Sequence, residues 1–240
     1  MRELAVFYHV GASWDRRHSD RPVTGHWRTI LRDQAAQWTE SGLLAAADRF
    51  VVGVSGTEDE AMEVRGLLPA KAMVMCHGQG AHWEIPTLEQ VRMHAKTNPE
   101  AHVFYHHTKG ASDDSLINRV WRFEMQHFTV RKWRDCVDLL RKGYDLVGCH
   151  WLSPEGYPTM VQKPFFGGTF WWARASYLAG LASCEVKFED DGPFGPGGGR
   201  FAAERWIGTG VGRPGGVEIY DWSPGWPSIP LCSRVLKEYT

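Results

Sequence analysis

Apolar and polar positions along the chain switch repeatedly between a two-residue and a three-to-four-residue period, and each switch marks an element. Residues 3–9 (ELAVFYH) predict a first strand that stops at Val10-Gly11, followed by a charged loop over 15–21. From Thr24 onward, Trp27, Ile30, Leu31, Ala35 and Trp38 recur near helical spacing, which predicts an amphipathic helix ending around Ser41-Gly42. Residues 43–48 add another turn. Residues 49–54 predict a second strand, closed by Ser55-Gly56. Thr57, with Glu60 three residues on, reads as a capping box that opens a short helix to Arg65. A third strand is expected over 71–75. After a loop rich in Gly and His comes Pro86, and Thr87 is expected to cap a helix over 88–96. Val103, Phe104 and Tyr105 then make a fourth strand, of residue types that suit a buried ladder.

The second half is less regular. Residues 115–142 predict the longest helix, with Trp121, Met125, Phe128, Trp133, Val137 and Leu140 as its buried stripe and basic residues on a solvated face. Residues 144–149 predict a strand with His150 at its end. In the stretch 165–181 (FFGGTFWWARASYLAGL), residues 170–172 form a strand and 176–181 a short helix. Adjacent residues on a strand point to opposite faces, so one of Trp171 and Trp172 can pack in the core while the other faces a ligand, with core filling the bland account for either ring. An acidic, glycine-rich loop over 189–199 suits a lid. Residues 200–207 read as a helix carrying Glu204 and Trp206, and the tail over 213–230 offers one short strand, 217–220. Strands alternating with helices at this spacing predict an α/β fold with a mainly parallel sheet. No GxGxxG or GxxxxGK[ST] pattern follows the first strand, which argues against a dinucleotide fingerprint and a P-loop.

Composition narrows the picture modestly. A chain of 240 residues can bury a sizeable core, and its net charge of −1 gives no global field toward nucleic acid or an acidic membrane. Five cysteines without regular spacing read as reduced thiols, hence a cytoplasmic expectation. No secretory signal and no membrane span are visible. Twelve tryptophans are unusual; they serve as stacking surfaces or as core filling.

The densest chemistry lies in residues 101–114, AHVFYHHTKGASDD. His106, His107, Thr108 and Lys109 stand in succession at the end of an apolar strand, before Gly110 and the carboxylates Asp113 and Asp114. Open α/β sheets bind ligands at that end of their strands. The bland alternative is a solvated loop with one core histidine.

The combination HHTKGAS, a following helix with Trp121 and Arg122, YDLVGCH, FGGTFWWARASYLAGL and RFAAERWI resembles a group of small bacterial and viral glycosyltransferase-like proteins, over about residues 3–208. The resemblance implies a GT-A-like fold in a single domain, residues 1–240. Its nucleotide-sugar-binding half spans about 1–114 and its acceptor-binding half about 115–240. It further implies transfer of a sugar from a nucleotide-sugar donor to a hydroxyl acceptor: a glycan, a protein or modified DNA. His9, His107, Thr108, Lys109, Gly110, Gly167 and Gly168 become the donor-binding candidates. Glu204 is the candidate base, with Asp190 or Asp191 in reserve. Trp171, Trp172 and Trp206 are the candidates for stacking on a sugar or acceptor. GT-A enzymes usually hold Mn²⁺ or Mg²⁺ with Asp-x-Asp at the fourth strand, whereas this chain has His107-Thr108-Lys109. A lysine can neutralise phosphate itself, so metal independence and no cofactor are expected, with Asp113, Asp114 and residues 189–191 as the remaining metal candidates. Two other readings stand beside this one: a non-catalytic carbohydrate- or nucleic-acid-binding module, and a metal-dependent hydrolase. No HExxH or other compact ligand spacing supports the hydrolase.

Overall fold

A computed structural model describes residues 2–13, 26–79, 83–152, 164–184, 203–210 and 216–218. Its centre is a seven-stranded sheet in the order β3-β2-β1-β4-β8-β5-β9. The strands are β1 (Leu4–Gly11), β2 (Arg49–Ser55), β3 (Met73–Cys76), β4 (His102–His107), β5 (Leu146–Gly148), β8 (Trp171–Arg174) and β9 (Gly216–Glu218). Two short strands, β6 (Trp151–Leu152) and β7 (Phe165–Phe166), pair antiparallel beside it. The pairs β1–β2, β1–β4, β2–β3 and β5–β9 are parallel, and β8 runs antiparallel to both β4 and β5. This is the α/β class, a mainly parallel sheet flanked by helices, that the strand–helix alternation predicts.

Every residue of β1 is buried, as expected of a central strand covered on both faces. Its even positions Leu4, Val6, Tyr8 and Val10 enter one core. That core is completed by α1 (Trp27–Glu40), α3 (Glu58–Leu67), α5 (Leu116–Gln126) and α6 (Trp133–Arg141). Ala5 and Phe7 point the other way, into a core built with α4 (Ile85–Thr97) and α7 (Ala175–Ala179). The short helix α2 (Leu43–Ala46) links α1 to β2. No helix among the described residues is long and apolar enough to cross a membrane.

Three elements differ from expectation. The capping box of Thr57 and Glu60 forms as predicted, but Thr87 does not cap α4. That helix starts at Ile85 with Pro86 in its first turn, where a missing N–H goes unneeded. The Thr87 hydroxyl is thereby released for other partners. The long helix over 115–142 is two helices joined by a π-helical segment, His127–Arg131, and turned at Lys132 (φ −100°, ψ 29°). The wider π turn leaves the Thr129 carbonyl to accept the Trp172 indole N–H at 2.9 Å. The third is β8, which the sequence places as a strand but not as one inserted, reversed, between β4 and β5. The expected lid over 189–199 lies outside the described residues.

Candidate functional site

The carboxyl ends of the parallel strands gather most of the unusual chemistry of the molecule. Among the described residues, three that are not glycine have left-handed backbone: Trp83 (φ 49°), His150 (φ 59°) and Thr169 (φ 59°). Trp83 precedes α4, His150 follows β5 and Thr169 precedes the reversed β8, so all three lie along this one edge. Such conformations cost of order 1–3 kcal/mol each, and they concentrate where function constrains the backbone.

The tip of β4 is knotted to its neighbours. Thr108 donates its backbone N–H to the His9 carbonyl at 3.0 Å, and its Oγ1 accepts from the Gly11 N–H at 3.0 Å. The chain then reverses: the Lys109 N–H donates to the His107 carbonyl at 2.8 Å, and Gly110 takes φ 92°. A Cβ on Gly110 would lie 2.8 Å from Arg122 Nη1, so backbone and packing both demand glycine there. Arg122 donates from Nη1 to the Lys109 carbonyl at 2.6 Å and reaches Asp114 at 3.5 Å. The turn thus aims the Lys109 side chain, only 8% exposed, across the Trp121 ring, with Nζ 4.2 Å from the ring centroid.

The two histidines before it part company, as strand alternation requires. His106 is sealed among Phe104, Tyr8, Trp38 and Phe170, and neither ring nitrogen finds a partner among the described residues. Burial holds its pKa well below the ordinary histidine value, so it is a neutral core residue. His107 is half-buried at the edge. Its Nε2 meets the Gly168 carbonyl at 3.0 Å, and its Nδ1 faces Glu84 Oε2 at 3.9 Å. Glu84 is itself buried and accepts the Tyr105 hydroxyl at 2.5 Å. Burial, and then the Glu84 charge, push the Tyr105 phenol well above its ordinary value, so it stays protonated and donates.

A second network crosses β1 and β2. The Thr87 hydroxyl lies 2.9 Å from His9 Nδ1 and 3.1 Å from His77 Nε2. It sits over Gly53: a Cβ there would come within 2.1 Å of the hydroxyl oxygen and 2.4 Å of His77 Nε2. Burial first, and the charges of His77 and His107 second, hold His9 well below the histidine value; burial lowers His77 likewise. On the β5 side, His150 Nε2 lies 3.4 Å from the fully buried Glu124, and its carbonyl accepts the Gly167 N–H at 2.9 Å. The His150 ring meets Trp121 edge-on at 5.5 Å.

The structure therefore brings together His9, His107, Thr108, Lys109, Gly110, Gly167 and Gly168 at one edge. It corrects the aromatic candidates. Trp171 and Trp172 are both fully buried, in opposite cores, stacked on Tyr105 and Phe104 respectively. Trp206 is also buried, and its indole donates to the Ala182 carbonyl at 2.9 Å. A strand covered on both faces has no ligand-facing side, so neither Trp171 nor Trp172 offers a ring face to a sugar, and burial withholds Trp206 as well. Glu204 is half-buried on a helical turn over 203–206. Asp190 and Asp191 lie outside the described residues.

The metal candidates Asp113 and Asp114 are engaged elsewhere. Asp113 accepts from the Ser115 N–H at 3.1 Å and from Asn118 Nδ2 at 3.1 Å, while Asp114 faces Arg122 and Arg119. Among the described residues no three His, Cys, Asp or Glu side chains gather where they could hold one metal ion. A lysine ammonium in place of a carboxylate is a poor fit to a hard divalent cation.

Sequence reasoning missed Glu84, Thr87, His77, Trp121 as a site residue, Arg122, Glu124 and His150 as a partner of Glu124. His150 carried a signal as the residue closing a predicted strand, Trp121 and Arg122 through the helix that the resemblance includes, and Thr87 as an expected helix cap.

A family model described as a domain of unknown function (DUF8361) matches residues 7–210. No curated protein matches the chain. Among solved structures, a candidate nucleotide-diphospho-sugar transferase from Desulfovibrio desulfuricans G20 is similar, with 11% identity and a TM-score of 0.41 over 99% of this chain and 95% of that one. A 4-diphosphocytidyl-2C-methyl-D-erythritol synthase is similar at 11% identity and a TM-score of 0.34, over 75% of this chain and 78% of that one.

Proposed function

Proceeding from a chain that belongs to the family described as a domain of unknown function (DUF8361), we propose that it is a glycosyltransferase, moving a sugar from a nucleotide-sugar donor to a hydroxyl acceptor. The observation that carries this reading is the Lys109 ammonium, nearly buried at the tip of β4 and held over the Trp121 ring by a glycine turn. Its place at the carboxyl edge of a parallel sheet suits an anion that arrives there and leaves.

The chemistry follows from that placement. As the acceptor oxygen bonds to the anomeric carbon, the bond from that carbon to the diphosphate oxygen breaks, and negative charge gathers on the leaving group. A fixed cation beside that oxygen stabilises the transition state more than the ground state. Lys109 and His107 form this clamp, with His9, Thr108 and the glycines 110, 167 and 168 shaping the floor. Trp121, half-buried beside the clamp, takes the sugar-facing role first expected of Trp171 or Trp172. Glu204 is the proposed acceptor of the hydroxyl proton. No step requires a metal or another cofactor.

The test is a thermal-shift panel of UDP, GDP, CMP, dTDP and their sugars, with EDTA or with Mn²⁺. A ligand bound only by the native state raises the melting temperature by mass action. At least one nucleoside diphosphate and its sugar should do so, in EDTA as in Mn²⁺. The matching donor should then release its nucleotide when a glycan, protein or modified-DNA acceptor is supplied. No shift and no release across the panel would overturn the reading.

A further inference from the structure

His107 is fixed in one tautomer by its surroundings. A backbone carbonyl can only accept, so the 3.0 Å contact between Nε2 and the Gly168 carbonyl places a proton on Nε2. Any second proton must then sit on Nδ1, the nitrogen that faces Glu84 Oε2 at 3.9 Å. If Nδ1 carried none, its lone pair would point at a buried carboxylate, an arrangement with nothing to attract the two.

Among the described residues, several further groups surround His107 and Glu84. Tyr105 donates to Glu84 Oε2 as a neutral phenol. His9 on β1 and His106 on β4 are buried, with burial as the leading cause of their neutrality and the His107 charge adding to it. From α1, Gln34 Nε2 reaches the His107 carbonyl at 3.4 Å and brings no charge. Phe170 meets the ring edge-on at 5.8 Å. Lys109, two residues on, is the one cation on the same turn, and its ammonium is turned toward Trp121.

We propose that Glu84 is a positioning residue that holds His107 as a doubly protonated imidazolium in the resting protein. The edge then carries a second cation, His107, beside Lys109, and one buried carboxylate both sets and balances it. This consequence rests on the diphosphate reading above; the protonation state of His107 does not. Glu84 and His107 titrate as a pair.

Two measurements separate these layers. In ¹⁵N-histidine-labelled protein without ligand, long-range proton–nitrogen spectra report each ring nitrogen, with His107 assigned by its absence in His107→Asn. At pH 7 both His107 nitrogens should carry protons. In Glu84→Gln the Nδ1 proton should be gone at pH 7 and the titration midpoint lower by about one unit or more, as expected on removing an opposite charge within 4–6 Å. A neutral His107 at pH 7 in the unaltered protein overturns the proposal without any variant, so a poorly folding Glu84→Gln does not block the test. An unchanged midpoint in that variant overturns it as well. The second measurement is UDP or GDP affinity from pH 6 to 9. It should weaken as His107 loses its second proton, and in Glu84→Gln the weakening should begin at lower pH. If neither nucleotide binds at any pH while the spectra show the imidazolium, the diphosphate reading fails and the role of Glu84 stands.

Discussion

At the scale of single residues, the most informative is Lys109. Its ammonium has left bulk water, so deleting it should show in ligand binding more than in folding. Lys109→Ala is expected to weaken nucleoside diphosphate affinity by about ten- to a hundred-fold, from the roughly 1.5–3 kcal/mol of a charge-assisted contact. Titration calorimetry on a variant with an unaltered circular dichroism spectrum checks it; equal affinity removes Lys109 from the site. Glu204 is tested by turnover. Glu204→Gln keeps the shape but cannot take a proton, so donor consumption should fall by about 10²-fold or more while donor affinity stays nearly constant. Near-normal turnover would make Glu204 structural. The polar run from His106 to Lys109 was legible in the sequence because four functional side chains adjoin a strand end. Glu84 was not, and Trp121 and His150 were readable only as parts of a helix and a strand end, because the three come from distant segments that only the sheet topology brings to one edge. His106 and His107 also look alike in sequence, and only the strand's alternation makes one a core ring and the other an edge residue.

At the scale of elements, the π segment and β8 explain each other. Trp172 donates to the carbonyl that the π turn leaves open, whereas the Trp171 indole N–H finds no partner among the described residues. Trp172→Phe therefore loses a buried hydrogen bond as well as volume, and Trp171→Phe loses volume alone. Urea denaturation should find Trp172→Phe the less stable by about 1–3 kcal/mol, the cost of an orphaned buried partner. Equal losses would mean that the Thr129 contact contributes nothing. The strands β1, β2 and β4 were readable because covered parallel strands are continuous apolar runs. The direction of β8 was not, since Phe170-Trp171-Trp172 reads the same in either sense. Nor was the break at Lys132, where neither Gly nor Pro interrupts an unbroken helical stripe.

For the whole molecule, the buried histidines set the response to acid. His9, His77, His94, His102, His106 and His127 all have pKa values lowered chiefly by burial, His102 to about 4. In the unfolded chain each takes a proton near pH 6.5. Below that pH the unfolded state binds protons that the native state refuses, so stability falls as pH drops from about 6.5 and continues to fall through 4. Urea midpoints should decline steadily between pH 7.5 and 5; a flat profile would mean that these rings are charged in the native protein. The reversed strand β8 has a different consequence, for the order of assembly. Neither β4 nor β5 pairs with the other, and among the described strands the two are joined only through residues 171–174. A ribosome-bound chain that has emerged only as far as β5 therefore holds a four-stranded β3-β2-β1-β4 leaf whose last edge is bare. That edge carries Val103, Phe104 and Tyr105, an apolar row of the kind that recruits other chains. Until some 25 further residues are made, the growing protein is most exposed to aggregation at the strand that ends in His107.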